Sequence, residues 1–198
     1  MKTWKKVAVV LLMLVLVGGF LAWRVIQRGF SARDNPSAIE AYVAKTARKL
    51  SIPASERDAK NRFTPTAEVL NEARVHFADH CAICHGNDGS GKTEIGQNLY
   101  PKAPDMRQPE TQNLTDGQTY YIIHNGIRLT GMPAWGGPGQ DDDSWKLVLF
   151  IRHLPQMTPE EMKEMEQFNP QSPADRSEQD NEQNFLNEGK APEMKMKH

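Results

Sequence analysis

The chain has 198 residues, enough for one modest domain with appendages, and its formal net charge at pH 7 is −1. That average hides a basic beginning and an acidic end, because residues 1–30 carry a net charge of +5 and residues 157–198 one of −5. The early basic residues flank an apolar segment instead of forming a patch on a folded face, so the charge pattern gives no indication of nucleic-acid binding.

Residues 1–30 contain an apolar run, Val7 to Trp23, without a charged side chain. As a helix with a rise of about 1.5 Å per residue it would reach roughly 25 Å, the short end of a bilayer span. A cleaved signal peptide is the alternative, with its best cut near Gly29, but two arginines lie between that position and the apolar run. We expect an uncleaved N-terminal membrane anchor with one transmembrane helix.

Residues 31–65 predict an amphipathic helix followed by a linker. Asn35 and Pro36 favour a helix start, and Pro53 closes the segment. We expect the apolar stripe of this helix to pack on the chain's own domain as a stalk, with a partner-binding helix as the alternative. The stripe consists of Ile39, Tyr42, Val43, Ala47 and Leu50.

Residues 66–156 predict a domain of helices joined by Gly- and Pro-rich loops. Helical spacing indicates one helix from about Thr66 to Asp79, and a second over 115–125 that stops at Gly126. A last helix over 144–154 ends before Pro155. All the elements that this part of the sequence predicts are helices, so we expect an all-α domain.

Residues 157–198 form an acidic stretch that we expect to be mostly disordered. Thr158 and Glu161 have the spacing of a capping box and allow one short helix. Near the end, Met194, Met196 and His198 could bind a soft metal, although an unstructured terminus is the simpler interpretation.

The sequence HCAICHG, residues 80–86, holds the only two cysteines of the chain, Cys81 and Cys84. Cys-x-x-Cys-His is the attachment motif of c-type haem. The two thiols add to the vinyl groups of the porphyrin, and the adjacent His85 then ligates the iron. The motif therefore predicts one covalent haem c as the cofactor.

Other uses of two cysteines fit the sequence less well. A zinc site needs four ligands, and the nearby histidines have no standard spacing for one. No βαβ pattern surrounds CAIC, as a thioredoxin-type redox site would require. A plain disulfide leaves the following histidine unexplained. The candidate additional zinc ligands are His76, His80 and His124.

The second axial ligand has to come from elsewhere in the chain. Met132 lies 47 residues after His85, in a polar loop flanked by glycines, and a thioether is a suitable ligand for iron in an electron-transfer site. Met106 comes early for a crossing to the other face of the haem, and Met157 follows the last helix. His124 is the alternative and would give a bis-histidine site of lower potential.

From about Glu68 to Leu154 the chain resembles a class I cytochrome c of the bacterial mono-haem type, here with a membrane anchor. Ala73 and Phe77 stand at the small and aromatic positions of the first helix, and Phe150 stands at the aromatic position of the last. The family usually has glycine where this chain has Ala73. KAPDM, IIHNGIRLTGMPAW and WKLVLFIRHL resemble the loop, distal-ligand and C-terminal segments of the family.

The resemblance implies an all-α class I fold around one haem, with His85 and Met132 as axial ligands. It also implies that the Pro104 carbonyl accepts a hydrogen bond from His85, and that Met106 packs on the haem edge. Haem attachment takes place outside the cytoplasm in this family, so the domain is expected on the periplasmic side of a bacterial inner membrane.

Such a protein would be an electron carrier and not itself an enzyme, working with redox partner proteins and needing no small-molecule substrate. Two alternatives remain at this stage. One is a haem-bearing subunit of a larger oxidoreductase complex. The other is a haem catalyst or gas sensor with an open sixth position on the iron.

Overall fold

The computed structural model describes residues 2–139, 141–171 and 186, and this part of the chain is helical without a strand. The predicted all-α fold is therefore confirmed. The helices are α1 (Lys2–Arg28), α2 (Ala38–Ser51), α3 (Ala54–Arg57), α4 (Ala67–His76), α5 (Ala82–His85), α6 (Glu94–Gln97), α7 (Pro109–Gln112), α8 (Asp116–Asn125), α9 (Asp141–His153) and α10 (Pro159–Met165).

Helix α1 extends well beyond the apolar run and is exposed along its length. Its 27 residues correspond to about 40 Å. The helix is long and apolar enough to cross a membrane over Thr3–Arg28. It is the one candidate span in the part of the chain that the structure describes.

The domain core forms where α4 crosses α9. Thr66 caps α4 by accepting a hydrogen bond from the Val69 N–H at 3.3 Å. Ala73 and Phe77 lie on the buried face, and the Phe77 ring packs on Phe150 of α9 with centroids 5.0 Å apart. A small residue at 73 lets the two helices approach closely at this crossing.

Helix α8 packs beside α9. Its N-terminus has a complete capping box, in which the Thr115 hydroxyl accepts from the Gln118 N–H and the Gln118 side chain accepts from the Thr115 N–H. Gly126, at φ +66°, ends the helix as predicted. Arg152 of α9 donates to the carbonyls of Gln112 and Leu114 and so holds the loop before α8 in place.

The chain after α9 continues to pack on the domain. A 3₁₀ turn at Leu154–Gln156 leads into α10, whose last residue, Met165, is fully buried in the core. Glu161 of α10 pairs with His153 at 2.9 Å, and Glu164 pairs with Arg74 of α4 at 2.8 Å. Met194, Met196 and His198, which we named as a possible soft-metal site, lie outside the described residues.

Helix α2 starts later than the sequence indicates, and its apolar stripe points away from the domain. Ser37, not Asn35, is the N-cap, and its hydroxyl accepts from the Glu40 N–H at 3.2 Å. No residue of α2 is buried, and Ile39 and Leu50 of the apolar stripe are strongly exposed. The expectation that this stripe packs on the chain's own domain is wrong, because the polar side of the helix makes the contacts instead.

Residues 53–63 pack against the domain through backbone groups and polar side chains. The Thr115 hydroxyl donates to the Arg57 carbonyl at 2.6 Å, and the Asn61 amide donates to the Trp145 carbonyl at 2.9 Å. Gly117 lies so close to α3 that a β-carbon there would overlap the carbonyl oxygen of Glu56. This segment therefore attaches the C-terminal end of α2 to the helical domain.

Candidate haem-attachment site

The helix that carries the two cysteines changes its winding just before them. After α4, residues Phe77–Cys81 form a π-helical turn, and α5 then contains both Cys84 and His85. Such π-turns are frequent at functional sites, because one extra residue per turn re-aims the side chains that follow. Gly86, at φ +73°, ends α5 directly after the histidine.

The Cys81 and Cys84 side chains lie close together as thiols that are not bonded to each other. Burial, and to a smaller extent the neighbouring Cys84, raise the pKa of Cys81 to about 12. Burial also raises the pKa of Cys84. Both groups are therefore S–H thiols at neutral pH, and an S–H group is what adds across a vinyl double bond in thioether formation.

A zinc site in place of haem is not supported by the described residues. None of them form a group of three or more His, Cys, Asp or Glu side chains that could hold a metal ion. Structural zinc needs four such ligands around a closed tetrahedral site. The donor set fits a haem, which brings four nitrogen ligands of its own and needs only axial residues from the protein.

His85 is the candidate proximal ligand, and its ring lies beside the loop of residues 86–106. Burial lowers the pKa of His85, and the Pro104 carbonyl opposes that effect by raising it. The Nδ1 atom of His85 is buried and has no partner with full hydrogen-bond geometry among the described residues. A neutral imidazole beside a carbonyl group is what an iron-ligating histidine requires.

The loop that carries Pro104 is fixed to the attachment helix by backbone hydrogen bonds. The Gly91 N–H donates to the His85 carbonyl at 2.7 Å, and the Met106 N–H donates to the Gly89 carbonyl at 2.8 Å. Gly91, at φ +69°, approaches so closely that a β-carbon would overlap the Ala103 carbonyl oxygen. Backbone hydrogen bonds and the close packing of Gly91 thus hold this loop near His85.

Thr93 fastens the same loop to the cysteines. Its hydroxyl lies within hydrogen-bond distance of the Ile83 and Cys84 carbonyls, at 2.9 and 3.1 Å. It also accepts from the Gly96 N–H at 2.9 Å, and a β-carbon at Gly96 would overlap the Cys84 carbonyl oxygen. The sequence reading missed Thr93 and Gly96, since neither belongs to the attachment motif.

Met106 lies in the hydrophobic core. Its carbonyl accepts a hydrogen bond at 2.7 Å from the Gln112 amide, which also donates to the Ile151 carbonyl of α9 at 2.8 Å. Its backbone is therefore tied to the last helix.

Met132, the candidate distal ligand, lies on a separate loop that is held on the end of α8. Its N–H donates to the Thr130 hydroxyl at 3.1 Å, and its carbonyl accepts from the Ile127 N–H at 3.1 Å. Further along, the Trp135 N–H donates to the Ile123 carbonyl of α8 at 3.1 Å. The side chain of Met132 is half-buried. Its pairing with His85 stays a prediction.

The alternative ligand, His124, is packed into an aromatic cluster. Its ring stacks on Tyr120 with centroids 5.2 Å apart, and Tyr120 in turn stacks on Trp145 at 4.2 Å. Gly136 lies against the other side, where a β-carbon would overlap the imidazole. The Nδ1 atom of His124 lies 3.6 Å from the Asp141 carboxylate. These contacts favour a packing role for this histidine.

A cluster of two histidines and a tryptophan joins the attachment helix to the loop of Met132. His76 and His80 lie together with ring centroids 4.7 Å apart, and Trp135 meets His80 edge-on at 5.4 Å. Burial and the neighbouring His80 lower the pKa of His76, while Asp143 and Asp79 oppose that effect. The spacing of the two histidines predicts their contact, but no sequence signal indicates the contact with Trp135.

Comparison with known proteins gives matches over the part of the chain that contains this site. Residues 68–151 match the family model described as cytochrome c oxidase, cbb3-type, subunit III. The chain is 34% identical over 93 residues to the cbb3-type cytochrome c oxidase subunit FixPc of Rhizobium leguminosarum, a match covering 46% of this chain and 30% of that protein. It is 27% identical over 88 residues to subunit CcoP of Cereibacter sphaeroides, covering 44% of this chain and 28% of that protein.

The helical fold, the attachment motif and these matches define a membrane-anchored cytochrome c, as the sequence predicted. The matched part ends before α10 and excludes α1, α2 and α3. The chain spans less than a third of the length of the relatives it matches.

Proposed function

We propose that this chain carries one c-type haem and transfers electrons as a haem-bearing subunit of a membrane oxidase of the cbb3 type. Two relatives of this chain are subunits of cbb3-type cytochrome c oxidases, and the similarity to them supports membership of such an oxidase. The sequence predicts an electron carrier, and one alternative is a haem-bearing subunit of a larger oxidoreductase complex. The proposed function combines the two, because the chain would transfer electrons as a subunit of such a complex.

The residues that would hold the haem are those of the attachment motif and two loops. Cys81 and Cys84 would each add S–H across one vinyl double bond, with nothing released. His85 would ligate the iron from one side, oriented by the Pro104 carbonyl, and Met132 from the other. The bound iron would supply one-electron oxidation and reduction.

The strongest support for a covalent haem is the arrangement of the cysteines and the histidine. The two free thiols and the half-buried His85, whose Nδ1 atom is buried, lie within about one and a half turns of helix. They lie beside a loop that backbone hydrogen bonds hold against the histidine. This arrangement suits covalent haem attachment, and the described residues contain no group of three metal-ligating side chains that would favour a metal ion instead.

The first experiment is optical spectroscopy of the purified full-length protein in detergent. We expect a c-type reduced-minus-oxidised spectrum, a weak near-infrared sulfur-to-iron band in the oxidised state, and no change when carbon monoxide is added to the reduced state. A c-type spectrum that lacks the sulfur band and shifts with carbon monoxide would indicate an open iron, and hence catalysis or sensing. Absence of haem would refute the proposal.

Membership of the oxidase needs a separate test, because a free-standing anchored shuttle would give the same spectrum. We expect a tagged version of the chain to co-purify from solubilised membranes with other oxidase subunits, and the purified complex to consume oxygen with an electron donor. A chain that purifies alone, yet is reduced and reoxidised by the membranes, would support the shuttle instead.

We also propose that α1 places the haem domain on the periplasmic side of the inner membrane. The reason is the resemblance to cytochromes c, whose haem is attached outside the cytoplasm. Protease added to intact spheroplasts should then digest the haem domain while leaving cytoplasmic marker proteins intact. Digestion only after the membrane is broken would place the domain on the other side.

A further inference from the structure

Helix α2 carries an apolar stripe that the described part of the chain leaves uncovered. Ile39, Tyr42, Val43 and Leu50 lie on one face of the helix and are 78%, 72%, 58% and 77% exposed. Isolated apolar side chains on a surface are common, but a stripe of four along fourteen residues marks an interaction surface.

The opposite side of α2 is held on the cytochrome domain by polar contacts. The Tyr100 hydroxyl donates to the Glu40 carboxylate at 2.5 Å, and Lys45 pairs with Glu110 at 2.9 Å. After the helix, Ile52 enters the domain and is only 3% exposed. The stripe therefore points away from the domain, on a helix that the domain itself orients.

The position of α2 along the chain places its apolar stripe close to the membrane that α1 would cross. Helix α1 ends at Arg28 and α2 begins at Ala38, so nine residues join them. Fully extended, nine residues reach at most about 30 Å. If α1 crosses a membrane, α2 cannot lie far from the surface at which α1 emerges. Phe30, in the connection, is itself 86% exposed.

The charges in this region suit a bilayer that contains anionic lipid. Between residues 24 and 50 the chain carries six basic and two acidic side chains. Arg24, Arg28 and Arg33 lie at the end of α1 and in the connection, and Lys49 lies on α2 beside the stripe. Helices with an apolar stripe and basic flanks bind in the headgroup region of such bilayers.

We propose that α2 lies on the membrane surface beside the exit of α1, with its apolar stripe inserted at the boundary between the headgroups and the acyl chains of an anionic bilayer. Because its other side is fastened to Tyr100 and Glu110, the helix turns that side of the cytochrome domain towards the membrane. The inference rests on α1 crossing the membrane and does not depend on how the haem is ligated.

The test uses the full-length, haem-loaded protein in lipid nanodiscs of phosphatidylcholine and phosphatidylglycerol. A photoactivated carbene probe confined to the lipid phase labels side chains that enter the bilayer, and peptide mass spectrometry locates the labels. We expect label on the apolar run of α1 and also on the stripe of α2. In nanodiscs of phosphatidylcholine alone the α2 label should decrease while the α1 label stays.

Substitution of the stripe tests the assignment directly. In the variant Ile39→Ser/Val43→Ser/Leu50→Ser, the α2 label should fall to background while the α1 label is kept. The matched control, Ala38→Ser/Ala44→Ser, alters exposed residues outside the stripe and should keep the α2 label. Amide hydrogen exchange over 38–51 in both variants shows whether the helix itself is still formed.

An unsubstituted α2 that takes no label while α1 is labelled would overturn the proposal, whether another protein or residues 172–198 covered the stripe instead. A triple variant that keeps its label with the helix intact would overturn it too. The optical spectrum of the same sample reports on the haem, so failure of this inference is distinguishable from failure of the proposed function.

Discussion

The indole of Trp135 lies edge-on against the imidazole of His80, with ring centroids 5.4 Å apart. His80 directly precedes the first cysteine, and Trp135 comes three residues after Met132. This contact therefore joins the haem-attachment helix to the loop of the proposed distal ligand. Aromatic pairs of this geometry stabilise by about 0.5–1.5 kcal/mol beyond the area they bury.

Loss of that contact should loosen the Met132 loop without removing the methionine. We expect Trp135→Ala to lower the free energy of unfolding by about 1–2 kcal/mol. We also expect it to weaken the sulfur-to-iron band and allow slow binding of carbon monoxide to the reduced protein. Trp135→Phe keeps an aromatic edge and serves as the control. An unchanged band in the alanine variant would mean that the contact does not position the loop.

Replacement of the two methionines separates the proposed ligand from the core residue. Met132→Ala should abolish the sulfur-to-iron band, lower the reduction potential and open the iron to carbon monoxide, because a neutral thioether favours reduced iron. Met106→Leu should keep all three properties and cost less than about 1.5 kcal/mol of stability, since the volume of this core side chain is nearly conserved.

Redox titration and spectra of both variants provide the measurement. If the band survived in Met132→Ala, the ligand would be elsewhere, and His124→Ala would be the next variant to examine. The packing of His124 between Tyr120 and Gly136 makes that outcome unexpected.

The haem-attachment motif and the residues at the helix crossing could be predicted from the sequence, because both depend on the spacing of residues close together in the chain. Cys81, Cys84 and His85 form a contiguous motif, and Ala73 and Phe77 lie on the buried face of α4 at helical spacing. The all-α fold followed from the helical spacing of the predicted elements and from the family resemblance, and the structure agrees for the residues that it describes.

The direction in which the apolar stripe of α2 points could not be predicted from the sequence, because it depends on contacts with residues distant in the chain. Hydropathy shows which side of a helix is apolar but not what covers it. Here Tyr100 and Glu110 bind the polar side, 60 residues or more after α2 begins. The packing of Gly117 on the Glu56 carbonyl was equally hidden, since contacts between backbone groups leave no pattern in the side chains.

Burial of Met165 predicts that the folded unit extends through α10. Met165→Ala should lower the free energy of unfolding by about 2–5 kcal/mol, because it removes a fully buried side chain and leaves a cavity. Met162→Ala, on the same helix but only half-buried, should cost clearly less. Denaturant unfolding of the detergent-solubilised protein measures both. Equal and small effects would mean that α10 does not contribute to the core.

The carboxylate of Asp105 should give the domain a stability that depends on pH. Arg107 donates to both Asp105 oxygens at 2.9 Å and also contacts Asp88 at 3.2 Å. These hydrogen bonds hold the pKa of Asp105 well below its usual range. Since the folded-state pKa is lowered, the stabilisation is present above the unfolded value of about 3.9 and is lost as the pH falls below it.

Substitution should remove that dependence. We expect Asp105→Asn to lower the free energy of unfolding at neutral pH by less than about 1 kcal/mol, because the pair is partly exposed. Between about pH 4 and pH 2 its stability should fall less steeply than that of the wild type. Arg107→Lys keeps the charge but not the two-point contact, and should lie between the two. Urea unfolding curves across this pH range provide the measurement, and identical slopes for wild type and Asp105→Asn would contradict the expectation. The result bears on the haem site because Asp105 directly follows Pro104, so acid that weakens this pair should loosen the loop beside His85.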